Sequence, residues 1–231
     1  MSESKAVSIM HFSDVLCIWA YVAQIRMEKL EAKFGEKTDV HYHFIQVFGS
    51  VAAKMEQNWS HRGGLAAYGK LVCDVASKYD HINVHEDIWV KNTPTSSASC
   101  HLFLKAVQLL ERKGELPVQR GSKSTIESVA AQMRKDFFEG LVDISALSAQ
   151  HDIAEKLSLP MDKIQAEIAT GAAFAALDSD HQLKEKLRVQ GSPAVVFNEG
   201  RQMIYGNVGY RVMEANVHEL LSKPKAAASW C

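Results

Sequence analysis

One cysteine, Cys17, lies where an apolar segment gives way to a helical pattern. Residues 7–12 are apolar and β-branched, which predicts a strand, and residues 18–34 follow a helical pattern. A thiol in the first turn of a helix faces unpaired backbone N–H groups and the positive end of the helix dipole. Cysteines in such positions have pKa values of roughly 3.5–7.5, against about 8.5 for a free thiol. We therefore predict that Cys17 is a nucleophile with a lowered pKa.

A second signal lies near the other end of the chain, where Gly191, Ser192 and Pro193 precede an apolar run. Proline has no N–H to donate to a sheet, so it occurs at the first position of a strand or on an edge. A small residue before proline also permits a tight turn, including one with a cis peptide. We predict that Pro193 opens a strand.

The strands and helices predicted around these residues form an α/β pattern. Strands are predicted at 7–12 and 39–47, and a long, almost wholly helical block follows from about 48 to 180. Within this block, periodicity predicts helices at 64–78, 94–112, 124–138, 145–157, 162–170 and 173–189. Two short strands, 194–198 and 202–205, are joined by a turn at Glu199 and Gly200, and a helix at 211–221 ends the pattern.

The order of these features resembles the thioredoxin-fold oxidoreductases of the DsbA family. It resembles in particular the branch with FrnE-like proteins, 2-hydroxychromene-2-carboxylate isomerases and kappa-class glutathione transferases. The matching segments are residues 12–17, 92–93, 191–193, 205–207 and 210–214. The resemblance implies an α/β, thioredoxin-like fold with a large helical insertion. The thioredoxin-like domain would comprise 1–47 and 180–222, the insertion 48–179, and a mobile tail 223–231.

The resemblance also implies a binding loop. In the family, the loop of Ser192 and Pro193 would lie against Cys17, and the backbone of Ser192 would pair with the backbone of a bound thiol peptide. Its N–H and C=O groups, rather than its hydroxyl, would make these contacts. The alternative is that Pro193 merely opens a strand.

Three further residues are candidates for substrate or glutathione binding. Trp19 either shapes a substrate groove or anchors its helix on the core. Asn92 either borders the cleft, as the resemblance suggests, or caps the following helix. Arg211 either is a solvated helix residue or binds the γ-glutamyl carboxylate of glutathione, since its forked donors suit carboxylates.

The chain departs from the family at the fourth position of the usual Cys-x-x-Cys motif, where Ala20 replaces the second cysteine. The leading hypothesis is therefore a thiol–disulfide oxidoreductase that uses Cys17 alone, with glutathione as co-substrate. In the isomerases and kappa transferases, a serine that contacts the glutathione sulfur stands where Cys17 stands. The alternative is thus a glutathione-dependent isomerase or transferase in which Cys17 polarises that sulfur. A non-catalytic module that binds thiol peptides is a third hypothesis.

The composition limits the classes of partner and the cellular location that we expect. The chain has 231 residues, 47% hydrophobic and 23% charged, with a net charge of −1, which gives no reason to expect nucleic acid or a membrane as partner. Residues 1–5 are polar rather than signal-like, and no apolar run approaches the ~18 residues of a membrane span. The four cysteines lack paired spacing, so we expect a cytoplasmic protein.

The ten histidines lack companions at metal-ligand spacing, so we expect no metal site and no tightly bound cofactor. The expected partner is a small thiol or disulfide substrate, and a homodimer stays open.

Overall fold

A four-stranded sheet carries the fold, and a block of helices is inserted between its second and third strands. We describe residues 6–116 and 124–222 of a computed structural model. The strands are β1 (Val7–Ser13), β2 (Thr38–Phe44), β3 (Ala194–Phe197) and β4 (Gln202–Tyr205). The helices are α1 (Ile18–Phe34), α2 (Val51–Trp59), α3 (Gly64–Ala76), α4 (Ala98–Arg112), α5 (Thr125–Phe138), α6 (Leu147–Lys156), α7 (Met161–Ala169), α8 (Ala172–Lys186) and α9 (Tyr210–Ser222). The predicted tail 223–231, which includes Cys231, lies outside the described residues.

The order of the strands in the sheet is β2-β1-β3-β4. β1 and β2 are parallel and are connected through α1, whereas β3 pairs antiparallel with both β1 and β4. β1 therefore lies inside the sheet, and its carboxyl end leads directly to Cys17.

Both faces of β1 are covered, which explains its nearly continuous apolar sequence. Val7 and Ile9 pack with residues of α1 and α9, including Leu30. Met10 and Phe12 point to the opposite face and pack against residues of β3 and the segment before it, such as Val189 and Val196. Since side chains of a strand alternate between faces, this packing fixes which face Ser13 occupies at the end of β1.

The segment between α3 and α4 corrects a prediction. Residues 77–97 are not helical, and α4 begins at Ala98 rather than at Pro94. The reason is that backbone groups of this segment bond elsewhere: the Val51 N–H donates to the Thr95 carbonyl at 3.1 Å, and the Ser97 N–H donates to the Phe48 carbonyl at 2.9 Å. The chain can turn into a helix only after these pairings end. Ser97 precedes α4, so Asn92 does not cap it.

Candidate active site

The structure brings Cys17 and Ser192 together. Cys17 is the N-cap residue of α1, and its Sγ donates a hydrogen bond to the Ser192 carbonyl oxygen at 3.4 Å. The Ser192–Pro193 peptide is cis. The Ser192 hydroxyl accepts a hydrogen bond from the Asp14 N–H at 2.9 Å. The hydroxyl is thus occupied within the protein, and the carbonyl faces the thiol.

The environment of Cys17 overturns the prediction of a lowered pKa. Cys17 is only 6% exposed. Burial raises the pKa of Cys17 above its ordinary value, because the thiolate is the charged form, and the carboxylate of Asp14 raises it further. The Ser192 side chain and the backbone N–H groups of Ala20 and Trp19 favour the thiolate but do not outweigh burial. The position at the helix start is as predicted, but the desolvation of the sulfur dominates.

Asp14, three residues before the thiol, is a buried carboxylate with many donors. Its Oδ1 accepts from the Leu16 N–H at 2.9 Å, and its Oδ2 accepts from the Phe48 N–H at 2.9 Å and the Ser97 hydroxyl at 2.8 Å. Nε2 of His101 lies 3.6 Å from Oδ1. Burial opposes ionisation of Asp14, but His101 and the backbone donors hold its pKa below the ordinary value. Asp14 therefore fixes the loop before Cys17 to the start of the insertion and to the beginning of α4.

One face of α4 carries a stripe of buried polar residues at positions i, i+4, i+8 and i+11. They are Ser97, His101, Lys105 and Gln108. Lys105 Nζ donates to Asp180 Oδ2 at 2.9 Å, so the stripe, which contacts Asp14 through Ser97, also ties α4 to α8. The stripe is not among the predicted site residues, although polar residues at helical spacing on an otherwise apolar face were a visible signal.

Arg134 of α5 is a second residue that we did not predict. It is 3% exposed and donates to the Ser13 hydroxyl at 3.1 Å and to the Gln24 side-chain oxygen at 3.0 Å, both uncharged acceptors. Burial lowers the pKa of Arg134, and the negative form of Cys17 opposes that change more than any other group. Arg134 is therefore a buried cation at the end of β1, close enough to Cys17 for the two charges to interact.

The other predicted binding residues differ in their placement. Trp19 is half-buried beside the thiol and packs against the main core. Asn92 is buried with an unpartnered Nδ2, and none of the described hydrogen bonds joins it to Cys17. Arg211 is exposed at the start of α9.

Arg211 is far from the thiol. Its neighbour Tyr210 lies under the Lys29 ammonium group, 4.5 Å from the ring centre. Lys29 is twelve residues beyond Cys17 along α1, which corresponds to roughly 18 Å of helix. The structure therefore does not bring Arg211 to the candidate site.

Cys17, Cys73 and Cys100 are free thiols, and no described hydrogen bond joins Cys17 to either of the other two. Ala20 is fully buried, Cys100 is buried with its Sγ donating to the Ile144 carbonyl at 3.3 Å, and Cys73 Sγ faces the His85 carbonyl at 3.8 Å. Within 6–116 and 124–222, no three His, Cys, Asp or Glu residues gather as metal ligands. No helix in these ranges is both long and apolar enough to cross a membrane.

A parallel β1–α1–β2 unit, a thiol at the start of α1 and a proline loop facing it define a thioredoxin-fold protein. The DSBA-like thioredoxin domain family matches residues 8–218, and the chain belongs to this family.

Solved structures with the same fold include a probable DsbA oxidoreductase from Streptomyces coelicolor, with a TM-score of 0.71 and 15% identity over 97% of this chain and 94% of that one. A 2-hydroxychromene-2-carboxylate isomerase gives a TM-score of 0.62 and 15% identity over 94% and 97% of the two chains. The cytosolic disulfide reductase DsbM from Pseudomonas aeruginosa, solved with GSH, gives 0.60 and 15% over 91% and 99%. No curated protein sequence matches the chain.

Proposed function

We propose that this protein is a thiol–disulfide oxidoreductase that acts through Cys17 alone and uses glutathione as co-substrate. The observation that carries the proposal is the placement of Cys17 Sγ, 3.4 Å from the Ser192 carbonyl, with Ala20 where a second thiol would stand. α1 carries no second cysteine that could open a Cys17 mixed disulfide. An external thiol must do so, and glutathione is the abundant small thiol of reducing compartments.

The reaction consists of two balanced thiol–disulfide exchanges. The Cys17 thiolate attacks the glutathione sulfur of a mixed disulfide RS–SG, forms Cys17–S–SG and releases RS⁻, which takes up a proton. The thiolate of a second glutathione then attacks the glutathione sulfur on Cys17, releases the Cys17 thiolate and leaves as glutathione disulfide. The backbone of Ser192, held beside the sulfur, aligns the incoming chain. Pro193, Trp19 and Asn92 are the proposed surroundings of the ligand.

The buried state of the thiol supports a second candidate function. A Cys17 with a raised pKa that donates its S–H to an acceptor 3.4 Å away is suited to donate a hydrogen bond to a glutathione sulfur instead. This would be a glutathione-dependent isomerase or transferase in which Cys17 forms no covalent bond. The similarity to the isomerase and to a GSH-bound cytosolic reductase supports both candidates and the proposal of a cytoplasmic location.

The test is a glutathione-coupled assay of Cys17 in a Cys73→Ser/Cys231→Ser background. Cys100 is retained, because burial raises its pKa far above that of a free thiol. A mixed disulfide of glutathione and a short peptide is the substrate, and NADPH with glutathione reductase reports glutathione disulfide. We expect turnover, and a glutathione adduct on Cys17 by mass spectrometry after treatment with glutathione disulfide.

The Cys17→Ser variant separates the candidates. Disulfide turnover that survives this substitution overturns the monothiol proposal. Calorimetric binding of glutathione without any adduct on Cys17 favours the isomerase or transferase. If glutathione does not bind, no adduct forms and no turnover is seen, the non-catalytic binding module is the remaining hypothesis.

A further inference from the structure

A cavity of about 630 Å³ is lined in part by the Ser192 loop, whose carbonyl accepts from the Cys17 thiol. Its walls are the segment after β2, one face of α8, and the loop 190–192. The residues that matter for its chemistry are Lys54, Phe174, His181, Lys184, Ser192 and Tyr205. The volume is in the range of small-molecule sites. Since Ser192 also contacts the Cys17 sulfur, a ligand in this cavity is one residue from the thiol.

The lining is richer in positive than in negative groups. Lys54 is half-buried, with its Nζ 4.8 Å from the centre of the Phe48 ring, and it forms no ion pair with any described residue. Lys184 contacts the exposed carboxylate of Glu185 at 2.6 Å, which leaves its other donors available. Among the described lining residues, Asp178 is the only carboxylate. The cavity therefore favours an anionic ligand.

The rim of the cavity carries apolar surface that has no cover within the described protein. Phe174 is 65% exposed and Tyr205 is 53% exposed. Rings of this size are usually largely buried, and exposed ones that border a concave site are typical of binding surfaces. Tyr205 also packs closely on the loop, because a Cβ at Gly191 would lie 2.9 Å from its hydroxyl. The ring is thus held beside the residues that face Cys17.

We propose that this cavity binds the acidic and partly apolar portion of the disulfide substrate. The inference rests on the proposed function, and it adds the substrate class: an aromatic or apolar disulfide whose carboxylate lies a few bonds from the sulfur. Lys54 and Lys184 bind the carboxylate, the rings of Phe174 and Tyr205 cover the apolar body, and the Ser192 loop presents the sulfur to Cys17.

The test compares two aromatic disulfides in the Cys73→Ser/Cys231→Ser background. 5,5′-Dithiobis(2-nitrobenzoate) carries a carboxylate on each ring, whereas 4,4′-dithiodipyridine is uncharged at neutral pH. Cys17 attacks one sulfur of either reagent, and the other sulfur leaves as a coloured thiolate or thione. We expect Lys54→Gln/Lys184→Gln to slow the reaction with the carboxylated disulfide by about tenfold, since a matched charge raises association rates by 10-fold or more. The reaction with the uncharged disulfide should change by less than about twofold.

A Lys70→Gln/Lys135→Gln variant is the matched control, because it removes the same charge from exposed positions outside the cavity. Equal slowing by the control, or equal slowing with both disulfides, overturns the proposal. Unchanged reaction with the carboxylated disulfide overturns it as well.

A binding measurement tests the cavity independently of any reaction at Cys17. Calorimetry with 5-methylthio-2-nitrobenzoate, which has the ring and carboxylate but no disulfide, uses the Cys17→Ser variant. We expect binding that weakens about tenfold in the Lys54→Gln/Lys184→Gln variant, and no binding overturns the cavity proposal. If Cys17 reacts with neither disulfide, the proposed function fails, and this titration still decides the cavity.

Discussion

The Cys17 thiol donates a hydrogen bond to the carbonyl oxygen of Ser192, across 175 positions of sequence and a distance of 3.4 Å. A sulfur that donates is protonated, so the same contact that marks the active site also describes its resting state. Attack on a disulfide requires the proton to leave. The buried guanidinium of Arg134 is the cation placed to stabilise the thiolate once it forms.

The pH dependence of alkylation tests the resting state. Because burial raises the pKa of Cys17, we expect iodoacetamide to modify it with a midpoint above the value of about 8.5 for a free thiol. The rate is measured from pH 6 to pH 11 in the Cys73→Ser/Cys231→Ser background. A midpoint below about 8 would show that the helix start dominates after all.

Arg134 should set how far that midpoint rises. Arg134→Gln removes a buried positive charge that interacts with Cys17, so we expect the midpoint to increase by about one pH unit, as for the loss of a neighbouring opposite charge. Arg134→Lys keeps the charge and should stay close to the parent. The same alkylation profile is the measurement, with circular dichroism to confirm folding. Equal midpoints for Arg134→Gln and the parent would contradict the assignment.

Restoring a second thiol should restore dithiol chemistry. Residues three apart on a helix have Cα atoms within the range that a disulfide can join. Ala20→Cys therefore supplies Cys17 with a resolving thiol, and we expect faster reduction of insulin with dithiothreitol than in the parent. Ala23→Cys, also on α1 but out of reach of Cys17, is the control. If the parent already equals Ala20→Cys, another cysteine resolves Cys17 and the monothiol proposal is wrong.

We expect the Ser192 hydroxyl to order the loop rather than to bind the ligand. Ser192→Ala leaves the Asp14 N–H without its acceptor, which costs about 1–2 kcal/mol of unfolding free energy. We expect glutathione disulfide to modify Cys17 more slowly in this variant, because the loop is less firmly held. Ser179→Ala, an exposed serine of α8, is the control for both measurements. Unchanged stability and reactivity would show that the hydroxyl does not order the site.

Elements with a strong local pattern were predictable, as α1 and α5 show. α1 spans the predicted residues 18–34, and α5 begins just after Ser124, whose hydroxyl accepts from the Glu127 N–H at 3.3 Å. Segment 77–97 was not predictable in this way. Its conformation depends on hydrogen bonds to the distant segment 48–51, and no local period reports such pairings.

The candidate site also contains features that a local sequence signal predicts and features that depend on long-range packing. The positions of Cys17 and of the Ser192 loop could be predicted, because each follows from a strand, helix or proline signal nearby in the sequence. The pKa of Cys17 could not, because its burial comes from packing with residues of the insertion, among them Tyr68 of α3. The position of a thiol at a helix start indicates the local electrostatic field on the sulfur. It does not indicate how much water tertiary packing removes from the sulfur.

Asp14 should stabilise the fold in a pH-dependent manner. The Asp14 carboxylate accepts hydrogen bonds from several donors, such as the Phe48 N–H and the Ser97 hydroxyl. In Asp14→Asn the amide NH₂ must face at least one of these donors. We expect a loss of about 3 kcal/mol of unfolding free energy at pH 7, measured with urea. The pKa of Asp14 is lowered in the folded protein, so its contribution is complete above the unfolded-state value of about 3.9. It is lost as the pH falls through the folded-state pKa.

The difference between the parent and Asp14→Asn should therefore be constant from pH 7 to about pH 5 and shrink at lower pH. Asp152→Asn is the matched control, because Asp152 is exposed on α6 and should change the unfolding free energy by less than about 0.5 kcal/mol at any of these pH values. Urea titrations of the three proteins at pH 7, 5, 4 and 3 give the comparison. A difference that stays constant down to pH 3 would mean that the stabilisation comes from the shape of the side chain. A charged hydrogen-bond acceptor, by contrast, must lose its effect once it is protonated.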